Sequence, residues 1–239
     1  RIGADGRLHL DEMRLSDDEL REVDKVIVIA CGTAYHAGLV AKHAIEHWPR
    51  VPVEVEVASE FRYRDPILTR RTLVLAISQS GETMDTLMAI RHAKEQQARV
   101  LAICNVNGST IPRESDAVVY TYAGPEVAVA STKAFLTQVV AVQLVALYLA
   151  QVRGTKWGEE VAAHIRELAA MPEKVERVLD TIEPVRALAR TLADAPASVT
   201  VVTRAEIEAF GWQSLGEILD ATVGVFVAYH RNYSYSIVR

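Results

Sequence analysis

Ser78-Gln79-Ser80-Gly81-Glu82-Thr83 gathers two serine hydroxyls, a threonine hydroxyl and a glutamine amide around a glycine, where an apolar stretch gives way to a helical one. Such a set suits an anion. A helix start offers unpaired N–H groups with partial positive charge, the side chains add donors without fixed charge, and Gly81 lets the backbone come close. The expectation is a phosphate cradle. The competing reading is a capping box in which Ser80 or a neighbour caps and Glu82 reaches back. Capping accounts for one hydroxyl and leaves the other donors without a reason.

Two further junctions of the same kind flank it. Cys31-Gly32-Thr33-Ala34-Tyr35-His36-Ala37-Gly38 does not fit G-x-G-x-x-G, so it is no dinucleotide fingerprint. Thr33 reaches the same ligand if the two strands are neighbours, and otherwise is a plain helix cap. Cys31 reads as a small buried hydrophobe rather than a nucleophile. In Gly124 to Lys133 the order of Ser131, Thr132 and Lys133 is wrong for a Walker loop, while the small residues Ala128 to Ser131 suit backbone amides lining a ligand. His43-Ala44-Ile45-Glu46-His47 matches H-x-x-E-H, a zinc-peptidase pattern, but no further ligand cluster accompanies it. It reads as a solvated helix end, and no metal is expected. G-x-S-x-G is absent around Ser80, which excludes that type of serine hydrolase.

These junctions need elements to hold them. Lys25–Ala30, Leu73–Ser78 and Val100–Asn105 are short apolar runs without polar alternation, the mark of parallel strands buried on both faces. Val53–Val57 and Ala117–Thr121 add two more strands. Tyr35–His47 and Thr83–Gln97 have apolar residues three and four apart, as amphipathic helices do. Strand then helix, repeated, predicts a doubly wound α/β domain whose ligand sits at the carboxyl ends of the strands. Ala134 to Val152 carries no charge over 19 residues, long enough to span a bilayer, but Gln138, Gln143 and Gln151 interrupt it. The expectation is a buried helix covering the sheet. From Gly158 to Leu192 charged amphipathic stretches broken by Pro172 and Pro184 read as connector helices.

Half of the 239 residues are hydrophobic and 24% are charged, the profile of a globular protein with a sizeable core. Lysine and arginine number 26 against 31 aspartates and glutamates, a net charge of −5 with no basic block, which argues against a nucleic-acid surface. Two cysteines, Cys31 and Cys104, are too few for a disulfide scaffold or a thiolate zinc site. With no export signal at the start, a cytoplasmic protein is expected.

CGTAYHAG at Cys31, VEVASEFRYR at Val55, AISQSGET ending at Thr83, AICN at Ala102 and AVASTKAF ending at Phe135 occur together and in this order. They resemble the isomerase module of the glutamine–fructose-6-phosphate aminotransferase (glucosamine-6-phosphate synthase) family. The resemblance implies a three-layer α/β/α sandwich on a mainly parallel five-stranded sheet, the flavodoxin-like or Rossmann-like sugar isomerase (SIS) domain. It further implies a module of two such subdomains, a homodimer, no cofactor, and a sugar phosphate as ligand, with no membrane and no nucleic acid. Family phosphate contacts map onto Thr33, Ser78, Gln79, Ser80 and Thr83, and sugar contacts onto Val129, Ala130 and Ser131. Many members carry serine where Ala34 stands, so one phosphate hydrogen bond is lost here.

The resemblance also implies departures. The glutaminase domain, with its amino-terminal cysteine, is expected to be absent from a chain opening at Arg1. Phe210 to Asp220 (FGWQSLGEILD) does not match the family's A-L-E-G-A-L-K-L-K-E helix, so no catalytic role passes to Glu217 or His230 and the catalytic residues stay unassigned. The expected organisation is a linker over 1–17, an SIS domain over 18–155, connector helices over 156–195, and the start of a second, incomplete or divergent SIS-like unit over 196–239, with a strand at Val199–Thr203 and a helix at Ala205–Asp220. The leading functional reading is a sugar-phosphate-binding isomerase fragment of hexosamine biosynthesis, inactive or partly active alone. A standalone phosphosugar isomerase and a non-catalytic sugar-phosphate sensor are the alternatives.

Overall fold

The computed structural model describes residues 2–3, 7–10, 12–127, 131–193, 227–229 and 236–238. The expected strand at Val199–Thr203 and helix at Ala205–Asp220 lie outside them. Two compact units divide the chain, Arg1–Met171 and Pro172–Arg239.

In the first unit, apolar runs with no polar alternation pair as five parallel strands: β1 (Lys25–Ala30), β2 (Val53–Val57), β3 (Thr72–Ser78), β4 (Arg99–Cys104) and β5 (Ala117–Tyr120), in the order β2-β1-β3-β4-β5. Each central strand is buried on both faces, and its alternate residues feed two cores. Val26, Val28, Leu73, Leu75, Ile77, Leu101 and Ile103 pack with the helices α2 (Thr33–His47) and α6 (Lys133–Val152). Ile27, Ile29, Val74, Ala76, Val100 and Ala102 pack on the other side with α3 (Ala58–Arg64), α4 (Met84–Glu95) and α5 (Thr110–Glu114). This is the expected three-layer α/β/α sandwich. Gly38 lets α2 lie close on the sheet, since a Cβ there would come within 2.9 Å of Val28 Cγ1.

The uncharged run forms α6, a helix long and apolar enough to cross a membrane by length and composition. Here it is a layer of the sandwich, with Val142, Val145, Ala146 and Leu149 buried against the sheet and α2. Within the stretch 1–17, expected as a linker, the described Leu8, Leu10, Met13 and Leu15 pack on the domain. Leu8 is buried with Leu147 and Val161, and its backbone exchanges hydrogen bonds with the Gln151 side chain (2.8 and 3.0 Å). A short helix follows, α1 (Asp17–Arg21), closed by a capping box between Ser16 and Glu19. Val161 belongs to α7 (Gly158–Ala169), which therefore packs with this unit.

The edge strand β2 pairs with β1 alone among the described residues. Its outward residues are Glu54 and Glu56, held by Arg64 and Lys25. In the second unit, α8 (Met171–Leu179, which begins at the unit boundary) and α9 (Ile182–Ala193) take Pro172 and Pro184 into their first turns, where a missing N–H is tolerated. β6 (Val227–Tyr229) and β7 (Ser236–Val238) pair antiparallel.

Candidate functional site

β1 and β3 are neighbours, and the chain leaves them for opposite layers, so their carboxyl ends form the switch point of the sheet. A cleft of about 330 Å³ opens there, at the small end of the roughly 300–1,000 Å³ typical of ligand sites. Cys31, Gly32, Thr33 and Ala34 line it from the β1 end, Ser78, Gln79, Ser80 and Thr83 from the β3 end, and Glu126, Ser131 and Gln138 from the α6 side. The structure thus brings Thr33 to the cradle, as neighbouring strands require.

The β3–α4 turn is held by its own hydroxyls. Ser78 Oγ accepts the Gly81 N–H at 3.1 Å and pairs with Thr83 Oγ1 at 3.0 Å. If Ser78 donates in that pair, the Thr83 hydroxyl keeps a proton to give. Ser80 Oγ accepts the Glu82 N–H at 3.2 Å, which leaves the Ser80 proton free for an anion. Gly81 has φ +67°, and a Cβ there would fall 1.9 Å from Ser109 Oγ, so only glycine fits the turn.

No capping box forms here. Thr83 is the N-cap of α4 without a side-chain cap bond, and Gly32 is that of α2, likewise uncapped. Glu82 turns to Thr110 instead, accepting its N–H at 2.7 Å and its hydroxyl at 3.1 Å, and these bonds hold the carboxyl below the ordinary carboxylate range. Two uncapped helix starts beside free hydroxyls provide an anion site with neutral donors.

The third wall contains what sequence reasoning missed. Glu126 caps α6 from outside, accepting the Ala134 N–H at 2.9 Å and the Thr132 hydroxyl at 2.8 Å. The Ala134 N–H is the main reason its carboxyl lies below the usual range, followed by the Thr132 hydroxyl. Gln138, expected only as a polar interruption of an apolar helix, is 1% exposed and lines the cleft. Ser131 lines it too. Val129 and Ala130, the other expected sugar contacts, lie outside the described residues, as do Glu217 and His230. An apolar run with a glutamine facing a predicted junction was the only signal for Gln138.

Among the described residues no lysine or arginine lines the cleft. Cys104, the last residue of β4 and part of its buried core, has its thiol pushed up to about 12 by burial and stays protonated, and both cysteines are free. His43 and His47 line a separate cleft with Trp48, and no group of three or more metal-ligating side chains occurs among the described residues.

A parallel α/β sandwich with uncapped helix starts and hydroxyls gathered at its switch point defines the class of doubly wound domains whose ligand site lies at the carboxyl ends of the strands. The family model of the SIS domain matches residues 19–148, more than half of the chain, and the chain belongs to the SIS domain family. It is 72% identical over 193 residues to the glutamine–fructose-6-phosphate aminotransferase [isomerizing] of Streptomyces coelicolor, a match covering 81% of this chain and 31% of that protein. The Mycobacterium tuberculosis protein of the same name is 68% identical over 188 residues, 79% of this chain and 30% of its own length. The chain thus spans about a third of the length of these relatives. Among solved structures, the C-terminal domain of glucosamine-fructose-6-phosphate aminotransferase from Francisella tularensis superposes with a TM-score of 0.74 at 37% identity, covering 81% of this chain and 55% of that one.

Proposed function

We propose that this chain binds a hexose phosphate, fructose 6-phosphate or glucosamine 6-phosphate, as the isomerase-domain portion of a glutamine–fructose-6-phosphate aminotransferase in hexosamine synthesis. The observation that carries the reading is the β3–α4 turn, where Ser80 accepts a backbone N–H and keeps its hydroxyl proton to donate, and Ser78 and Thr83 share one hydroxyl–hydroxyl bond, beside two uncapped helix starts. The identity to aminotransferases supports it.

The residues divide the work. Thr33, Ser78, Gln79, Ser80 and Thr83 hold the phosphate, and Val129, Ala130 and Ser131 approach the sugar. Fixing the phosphate end places the sugar carbons on one spot, which is the positional share of aldose–ketose isomerisation. Moving the proton between C1 and C2 needs a base, and no residue of this cleft is assigned to that step. The reading carries with it a cytoplasmic homodimer whose partner is a small sugar phosphate, with no cofactor, metal, nucleic acid or membrane.

Titration calorimetry with fructose 6-phosphate, glucosamine 6-phosphate and unphosphorylated fructose tests it. Both phosphates bind and fructose does not. A hydrogen bond to a charged group contributes about 1.5–3 kcal/mol, so Ser80→Ala weakens binding by roughly ten- to a hundredfold with the melting temperature unchanged. Equal affinity in a folded Ser80→Ala chain removes Ser80 from the site.

A further inference from the structure

Buried polar atoms are ordinarily hydrogen-bonded, and an orphan on the wall of a cavity is explained by what enters the cavity. Among the described residues three buried side-chain polar atoms have no partner, Thr86 Oγ1, Ser131 Oγ and Gln138 Oε1, and the last two belong to the same wall of the cleft. Gln138 stands in the second turn of α6 at 1% exposure, so bulk water does not satisfy it. A plain core position there would hold an apolar side chain, as Ala134, Ala141, Val142 and Val145 do along the same buried face. Opposite lies the phosphate cradle, whose donors are already committed to an anion. A carboxamide oxygen is an acceptor, and what it lacks is an O–H or N–H. The sugar part of a hexose phosphate offers several hydroxyl hydrogens, whereas the phosphate dianion offers none.

We propose that Gln138 is a specificity-determining residue of this cleft: its amide, with Ser131, accepts hydroxyl hydrogens of the sugar, so that the site distinguishes a phosphorylated sugar from phosphate alone. The proposal rests on the sugar-phosphate reading above. The test compares the full chain with Gln138→Leu, using titration calorimetry for fructose 6-phosphate and phosphorus NMR line broadening for inorganic phosphate.

Expected is a roughly five- to fiftyfold loss of fructose 6-phosphate affinity with inorganic phosphate binding unchanged. The ligand-free melting temperature stays equal or rises, because an apolar side chain of similar size removes the orphan. Unchanged fructose 6-phosphate affinity overturns the proposal alone, and so does an equal loss for both ligands, which would make Gln138 a support of the cradle. A wild-type chain that does not bind fructose 6-phosphate overturns the sugar-phosphate reading and this proposal together. Gln138→Met, equally long and unbranched, replaces the leucine variant in the same titrations if that variant fails to fold, and is judged by the same outcomes.

Discussion

Among the described residues, hydroxyls rather than a lysine or arginine line the cleft, so under the proposed reading the position of each donor decides affinity. Gly81 sets those positions. Its left-handed φ of +67° and the 1.9 Å approach of a would-be Cβ to Ser109 Oγ leave no room for a side chain. Gly81→Ala is expected to cost about 2–4 kcal/mol in denaturant unfolding and to abolish sugar-phosphate binding. Loss of binding at full stability would mean that the turn shifts rather than strains. The cradle was legible from sequence because its residues are contiguous and their chemistry is local. Glu126 and Gln138 were not, since a cap reached across a loop and a cavity wall reached from within a helix are facts of tertiary placement. The competing capping-box reading does not hold at this turn, because Glu82 finds its partner in Thr110, 28 positions away, rather than in its own turn.

At the scale of elements, the segment between β5 and α6 is held at its far end by one carboxylate. Glu126 binds the first turn of α6, and Ser131 lies between the two. Its pKa is depressed in the folded chain, so the anchoring is fully present above the ordinary carboxylate range and is lost as pH falls through the lowered value. Glu126→Ala is therefore expected to speed hydrogen exchange at Ala134 and to weaken sugar-phosphate binding, and Glu126→Gln, which keeps an acceptor without charge, to do so less. The protection of the Ala134 amide, its exchange relative to the intrinsic rate at the same pH, should fall on acidification through the lowered Glu126 value in the wild type, while in Glu126→Gln this step is missing. Strands and long helices were readable to within two residues of their ends, because apolar runs and helical spacing are carried by many residues. α1, α3 and α5 were not assigned, since five to seven residues make too few turns to show a period.

At the scale of the molecule, every described residue of the cleft belongs to the unit ending at Met171. A chain cut after Met171 is expected to melt cooperatively and to bind fructose 6-phosphate as the full chain does. Weaker binding would show that residues beyond the cut complete the site. The cut belongs after α7, because Val161 packs with Leu8 and Leu147, an attachment that charge-rich helical periodicity did not reveal. Layer architecture was legible where the sheet order was not, since composition fixes which strands are buried on both faces but not their neighbours.

The rim of the sheet has a consequence for the chain in a crowded solution. A strand edge without a neighbour is a template on which other chains can add, and β2, unpaired on its outer side among the described residues, carries Glu54 and Glu56 there, each held by Arg64. Joining two such edges would strip these paired charges of water, which disfavours edge-to-edge pairing. Replacing both glutamates by valine would leave an uninterrupted valine strand, and light scattering at rising concentration should then detect self-association that the native chain resists.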